Sequence, residues 1–203
     1  MNADTAPLAH VVDDDEAIRD ALTWLFKSRQ VACRAWPSAE SFLADWKENM
    51  RGCLVLDVRL DDMSGPELFE LLAERGSQLP VIFLSGHGDI PLAVAAVKKG
   101  AYDFVEKPFN DNELVDRVIQ ALSYDASLHE RQRGQATLAS RLAQITPRER
   151  EVMERILNGK YNKVIADELN IAMRTVEVHR ARIFEKMGVK SAVELAQLLS
   201  NLK

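Results

Sequence analysis

The sequence predicts an α/β domain built on a five-stranded parallel, doubly wound sheet, joined to a small all-α domain. Three observations carry that prediction. The first part of the chain alternates five short apolar runs with stretches of helical periodicity, whereas the last part shows helical periodicity alone. One run, Gly-Cys-Leu-Val-Leu-Asp at 52–57, is apolar at successive positions, as a parallel strand covered on both faces requires. Charge divides the same way within an overall balance of −5: residues 1–123 hold 12 Lys and Arg against 21 Asp and Glu, a balance of −9, and residues 124–203 hold 14 against 10, a balance of +4. An acidic first part disfavours a nucleic-acid surface there, and a mildly basic second part permits one.

Residues 8–13, Leu-Ala-His-Val-Val-Asp, form the first strand and run into Asp13, Asp14, Asp15 and Glu16. A helix follows, with Ile18, Leu22, Leu25 and Phe26 at helical spacing. Val31 to Ala35 gives the second strand, and Ser38 caps a helix carrying Phe42, Leu43 and Trp46. After the third strand at 52–57, Gly65-Pro66 opens a helix with Leu68, Leu71 and Leu72. Strand Pro80 to Leu84, a helix from about Ile90 to Lys99 closed by Gly100, and strand Tyr102 to Val105 complete the alternation. Beyond Lys107-Pro108-Phe109 a last helix spans about Asp111 to Ser123, with Leu114, Val118, Ile119 and Leu122 on one face. Cys33 and Cys53 each fall in a strand among apolar neighbours and read as small buried hydrophobes rather than a disulfide or metal pair.

In such sheets ligands bind beyond the carboxyl ends of the strands. The residues there are Asp13 and Asp14, then Asp57, Ser85 and Lys107. A single Asp commonly does no more than close a strand, but here carboxylates crowd together. They raise one another's pKa unless a cation sits among them, and an all-oxygen site suits Mg²⁺. A metal bridging a carboxylate and a phosphoryl group lowers the cost of attack by an anionic nucleophile, a part that Asp can play. Lys107 and the Ser85 hydroxyl are placed to hold the other phosphoryl oxygens.

Val-Val-Asp-Asp-Asp at 11–15, the Asp57 strand, Met63-Ser64-Gly65, Ser85 and Lys107-Pro108-Phe109 together resemble the receiver domain of bacterial two-component response regulators. The resemblance covers about the first 123 residues and implies a flavodoxin-like fold. It implies that Asp57 accepts a phosphoryl group from a phosphohistidine on a sensor histidine kinase. It further implies that Asp14 and Asp57 ligate Mg²⁺ directly and Asp13 through water, with the backbone carbonyl of Arg59 as another ligand. Lys107 would pair with the phosphoryl group and Ser85 would move to hydrogen-bond it. Phe104 would be the aromatic that swings inward behind Ser85, with plain core packing as the alternative. A cis Lys107-Pro108 peptide is also implied. The stretch Ser85 to Val94, Ser-Gly-His-Gly-Asp-Ile-Pro-Leu-Ala-Val, is similar to FixJ-type regulators. His87 within it is either a pH-sensitive contact or ordinary loop packing. One departure is Asp61, where the family commonly has proline: the loop loses a rigid turn residue and gains charge.

Residues 124–144 are polar, with Gly134 in their middle, and read as a linker. Leu128, Leu138 and Leu142 sit at spacings that a helix uses, so helical segments interrupted near Gly134 are expected. From Ile145 the pattern changes to short helices. Thr146, Pro147 and Glu149 form a capping box with proline at the first helical position, Val152, Ile156 and Leu157 form an apolar face, and Gly159 stops the helix. Asn162 opens a two-turn helix to Leu169. The short turn 170–172 leads into a helix from Arg174 to Met187, giving a helix-turn-helix. On that helix Val176, Ile183 and Met187 share one stripe, while Arg174, Glu177, Val178, Ala181, Arg182 and Glu185 lie opposite. A face mixing arginines with small apolar residues suits a major groove, although the solvated face of a small bundle looks the same.

Residues 145–200 are similar to the LuxR-type DNA-binding domain through Thr-Pro-Arg-Glu-Arg-Glu-Val-Met, Asn162-Lys163-x-Ile165-Ala166-x-x-Leu169, Thr175-Val-Glu-Val-His179-Arg180 and Lys186-Met187-Gly188-Val189. The resemblance implies phosphate contacts from Lys163, Arg174, Thr175 and Lys186 and base contacts from Glu177, Val178, Ala181 and Arg182. Two positions depart. Ala172 stands where the family usually has serine, which removes a cap worth about 1 kcal/mol, and Arg182 stands where asparagine is frequent.

The reading is a DNA-binding transcriptional response regulator of 203 residues with domains at 1–123 and 145–203 around a linker at 124–144. Phosphorylation of Asp57 is expected to promote pairing of receivers through residues 89–106 and binding of double-stranded operator DNA, with RNA polymerase as a further partner. No apolar stretch approaches the roughly 20 residues of a membrane helix, and the first residues lack the pattern of a signal peptide, so the cytoplasm is the expected compartment. The rival is a Mg²⁺-dependent phosphohydrolase of the haloacid-dehalogenase kind, whose nucleophile ends the first strand in Asp-x-Asp-x-Thr/Val. Here Asp13-Asp14-Asp15-Glu16-Ala17 fails the final element, so no enzyme is expected. A third reading, a DNA-binding protein with a silent receiver, sits poorly with the full set of acids, hydroxyl and lysine.

Overall fold

The computed structural model describes residues 7–61, 63–86 and 90–200, with the side chains of 90–93 set aside. His87 and the first residue of the expected dimer face therefore lie outside the described residues. The chain divides into two compact units, Met1–His129 and Glu130–Lys203.

The elements run β1 (Leu8–Val12), α1 (Glu16–Ser28), β2 (Cys33–Trp36), α2 (Ala39–Asp45), β3 (Gly52–Asp57), α3 (Gly65–Glu74), β4 (Val81–Ser85), α4 (Ile90–Lys98) and β5 (Asp103–Glu106) in the first unit, and then α5 (Asp111–Ala143), whose residues from Glu130 onward belong to the second unit. The sheet has the order β2-β1-β3-β4-β5, and every pairing is parallel. Its central strand explains the continuous apolar run, because β3 is covered on both faces. Cys53 and Val55 pack with Val11, Leu22, Phe26, Leu114 and Val118 on one side. Leu54 and Leu56 pack with Phe42, Leu68, Leu72 and Phe83 on the other. Each buried Leu or Phe contributes roughly 1.5–3 kcal/mol of transfer free energy, so both layers are anchored to the strand that ends in Asp57. Burial, with Asp125 adding to it, pushes the Cys53 thiol up to about 12, so it remains protonated as a small apolar group.

Side-chain caps start the helices where the sequence places them. Asp15 accepts from the N–H of Ala17, Ser38 forms a capping box with Ser41, and Ser64 forms one with Glu67 ahead of Pro66. At the foot of the sheet Arg51 donates to the buried Asp125 of α5 from Nε at 2.9 Å and Nη2 at 2.8 Å. His10 shares a 2.9 Å hydrogen bond with the Arg51 carbonyl, and burial holds its imidazole below the usual histidine range.

Helix α5 departs from expectation. It neither stops near Ser123 nor breaks at Gly134, but continues to Ala143. A solvated helical glycine costs only about 1 kcal/mol relative to alanine, and the flanking Glu, Arg, Gln, Leu and Ala residues favour helix.

The second unit continues with α6 (Pro147–Leu157), α7 (Asn162–Leu169), α8 (Met173–Met187) and α9 (Ala192–Ser200). The Thr146–Glu149 capping box forms as the sequence requires. Val152, Ile156, Ile165, Val176, Ile183, Met187 and Leu195 make a single core. The turn between α7 and α8 holds Asn170 in the left-handed region, at φ 52°.

Candidate phosphoryl site and nucleic-acid interface

Parallel pairing brings the ends of β1, β3, β4 and β5 to one edge, and the acids, hydroxyl and lysine follow. The Lys107 ammonium lies 2.9 Å from Asp13 Oδ2 and 2.5 Å from Asp57 Oδ1. The other oxygens are also engaged: Asp57 Oδ2 accepts from the N–H of Arg59 at 2.9 Å, and Asp13 Oδ1 from the N–H of Asp15 at 3.0 Å. Asp13 is 1 % and Asp57 7 % exposed, so Asp57 is sheltered yet reachable. The Lys107-Pro108 peptide is cis, and the Lys107 N–H donates to the Ser85 carbonyl at 2.6 Å, tying β5 to β4 beside the site. Burial pushes the Asp57 carboxyl above the usual aspartate range despite the pull of Lys107, with Asp13 adding to the rise. The same burial works against the Lys107 cation, but its hydrogen bonds to Asp57 and Asp13 outweigh it and hold the ammonium above the ordinary lysine range. One cation serves two acids, so it gains from both.

The remaining predicted residues sit around this core. Ser85 is buried, and its hydroxyl donates to the Gly86 carbonyl at 3.2 Å. Phe104 is half-buried, with its ring 6.4 Å from that of Phe83. Asp14 is exposed and Arg59 is exposed at the rim. Among the described residues no three His, Cys, Asp or Glu side chains stand close enough to hold a metal. Two carboxylates do converge on one point, now taken by the Lys107 ammonium, and an oxygen-only pair converging on a cation fits a hard divalent ion.

Arg19 carried no signal in the sequence reading, and Gly65 was read there only as a helix start and as part of the Met63-Ser64-Gly65 motif. Arg19 Nη1 donates to the carbonyls of Asp13 at 2.9 Å and Asp14 at 2.8 Å, fixing the acidic loop. Gly65 passes so close to β3 that a Cβ there would lie 2.2 Å from the Asp57 carbonyl oxygen, and its N–H donates to the Val58 carbonyl at 3.0 Å.

In the second unit, α8 buries Val176, Ile183 and Met187 and leaves Arg174, Thr175, Val178, Ala181 and Arg182 exposed, with Glu177 half-buried. Lys163 is exposed on α7. Lys186 differs from its fellows: its ammonium lies 2.6 Å from Glu149, itself 2 % exposed, and donates to the Gln144 carbonyl at 3.1 Å.

Residues 9–119 match the response regulator receiver domain family, and residues 143–199 match the luxR family of bacterial regulatory proteins. The chain belongs to the response regulators. The C4-dicarboxylate transport transcriptional regulatory protein DctR of Rhodobacter capsulatus is 50 % identical over 192 residues, 93 % of this chain and 97 % of that protein. The transcriptional regulatory protein FixJ of Azorhizobium caulinodans is 42 % identical over 93 % of this chain and 90 % of its own. Among solved structures, the response regulator StyR superposes with a TM-score of 0.88 at 38 % identity, over 96 % of this chain and 98 % of that one. Full-length FixJ from B. japonicum gives 0.62 at 38 % identity, over 97 % of each. This response regulator is a phosphorylation-dependent transcriptional regulator with a LuxR-type helix-turn-helix, not an enzyme. A receiver implies a sensor kinase as partner, a LuxR-type domain implies DNA, and receiver domains generally bind Mg²⁺ at the phosphorylation site. No helix among the described residues is long and apolar enough to cross a membrane.

Proposed function

We propose that this regulator is switched at Asp57, with the receiver over 1–123, a connecting segment over 124–144 and the DNA-binding domain over 145–203. The observation that supports this most is the meeting of Asp13 and Asp57 on the Lys107 ammonium. It places the nucleophilic carboxylate of Asp57 beside a cation able to change partners. A carboxylate oxygen of Asp57 forms the new O–P bond to a phosphohistidine of the sensor kinase while the P–N bond breaks, and the leaving imidazole takes the electron pair. Lys107 then pairs with a phosphoryl oxygen, and the Ser85 hydroxyl leaves the Gly86 carbonyl to donate to another. Asp13, Asp14, Asp57 and the Arg59 carbonyl would hold Mg²⁺, which would supply charge neutralisation between acid and phosphoryl group. Phe104 turns inward behind Ser85, which alters α4 and β5. That surface, residues 89–106, pairs two copies in the cytoplasm, and the half-exposed Val94 and Val97 of α4 supply apolar contact.

On DNA, α8 enters the major groove with Glu177, Val178, Ala181 and Arg182 toward base edges, while Lys163, Arg174 and Thr175 meet phosphates. Lys186 reaches a phosphate only by giving up Glu149. The helix starts support this reading. Neither Tyr161 before α7 nor Ala172 before α8 supplies a side-chain cap, which leaves backbone N–H groups for phosphate oxygens. RNA polymerase is the partner expected at the operator.

The test is mass spectrometry and light scattering on protein with Mg²⁺, before and after acetyl phosphate, with Asp57→Asn as control. Wild type alone should gain a phosphoryl group and shift to a dimer. Uptake in both proteins, or dimerisation without uptake, would refute the switch.

A further inference from the structure

Both helices of the helix-turn-helix are finished at their carboxyl ends by arginines from outside the motif. Arg148 of α6 donates from Nη2 to the carbonyl of Leu169, the last residue of α7, at 2.7 Å. Arg141, in the last turn of α5, donates from Nη1 to the carbonyl of Met187, the last residue of α8, also at 2.7 Å. These carbonyls have no intrahelical N–H partner, and a positive charge is favoured at that end of a helix.

The Arg141 bond is built into the backbone beside it. Gly188 follows α8 at φ 66°, a left-handed conformation, and a Cβ there would lie 2.9 Å from Arg141 Nη1 and 3.1 Å from Cζ. Glycine thus gives the turn its conformation and the guanidinium its room. A second bond runs the other way, from the Lys186 ammonium to the carbonyl of Gln144 just beyond α5. Two reciprocal bonds therefore join the last turn of α8 to the end of α5.

We propose that Arg141 is a positioning residue for DNA recognition: it fixes where α8 stands along its own axis, and with it the register of Val178, Ala181 and Arg182 against base edges. The end of α5 is then a mechanical input to the reading helix, because moving Arg141 moves or releases Met187. This inference rests on α8 being the element that reads DNA.

The experiment uses full-length protein, wild type, Arg141→Ala and Arg141→Lys. The probes are a duplex of about 30 base pairs selected by wild type from a randomised pool and a scrambled duplex of the same length and composition, a span that covers two half-sites. Arg141→Ala should lower the preference for the selected duplex about tenfold, since a charged hydrogen bond at a helix end is lost, and leave the salt slope unchanged, since no phosphate contact goes with it. Amide exchange should quicken in the last turn of α8 and not in α6. Arg141→Lys, which keeps the charge and one donor, should recover part of both effects. Unchanged preference with unchanged exchange overturns the proposal. So does a salt slope reduced by about one unit with equal loss on both duplexes, the mark of a direct phosphate contact. If wild type selects no duplex, the DNA reading of α8 fails separately. In that case quicker exchange in the Arg141→Ala protein still supports the grip on α8, and unaltered exchange overturns it.

Discussion

Replacing Glu149 by glutamine tests how much one buried carboxylate holds the second unit together. Its Oε2 accepts from the Lys186 ammonium at 2.6 Å, from the Thr146 N–H at 2.9 Å and from the Thr146 hydroxyl at 3.1 Å. Burial acts to raise its pKa, but Lys186 and the two Thr146 donors outweigh burial and hold the carboxyl below the ordinary glutamate range. With the folded value lower than the unfolded one, the unfolded chain binds more protons at acid pH, so stability rises with pH. The contribution is complete above the unfolded value of about 4.3 and is lost as pH falls through the folded value. Lys186 is 28 % and Glu149 3 % exposed in their side chains. The pair therefore falls between a surface ion pair and a fully buried one, and about 2 kcal/mol is expected at neutral pH. Urea unfolding followed through the methyl signals of Val152 and Ile183 isolates this core from the receiver. As pH falls from 7 to 3, wild type should lose stability more steeply than Glu149→Gln, which should start lower and change less. Equal pH dependence in the two proteins would refute the assignment of this acid sensitivity to Glu149.

Three further outcomes follow from packing and capping. Gly65→Ala forces a methyl against the Asp57 carbonyl, so the receiver should lose about 2 kcal/mol and take up phosphoryl more slowly; an unchanged melting temperature would remove the argument for close approach. Arg51→Met leaves Asp125, 1 % exposed, without its guanidinium and should cost about 3 kcal/mol, with most of it recovered by adding Asp125→Leu; thermal unfolding of both variants decides. Ala172→Ser restores an N-cap at a residue already in extended backbone, φ −66° and ψ 143°, and should raise the stability of the second unit by about 1 kcal/mol in urea.

Much of both units was legible because the signals are local. The run 52–57 declared burial on two faces, the caps Ser38 and Thr146 declared helix starts, and the strand-end order of Asp13, Asp57, Ser85 and Lys107 declared a shared edge. What failed was either weak locally or remote in sequence. Gly134 looked like a break, but one solvated glycine cannot outweigh the helix formers on both sides of it. Helix α9 packs Leu195, Leu198 and Leu199 against the shared core. The pairing of Arg51 with Asp125 and the grip of Arg141 on Met187 join residues far apart in the chain, so only folding reveals them. Lys186 appeared as one more basic residue on a basic helix, until Glu149 was seen to hold it.

The caps of α7 and α8 have a consequence for the conditions under which the second unit is most stable. Arginines finish both helices at their carboxyl ends, while their amino ends lack the side-chain acceptors that serve α1, α2, α3 and α6. Each helix is electrically complete at one end and leaves its positive end to the solvent, where an anion serves better than water. Stability of this unit should then depend on which anion is present as well as on ionic strength, with sulfate or phosphate adding to it through preferential binding to the folded chain. A bound duplex is the extreme case of such an anion. It would act as a folding ligand as well as a target, leaving the helix-turn-helix most resistant to unfolding while it is engaged with its operator.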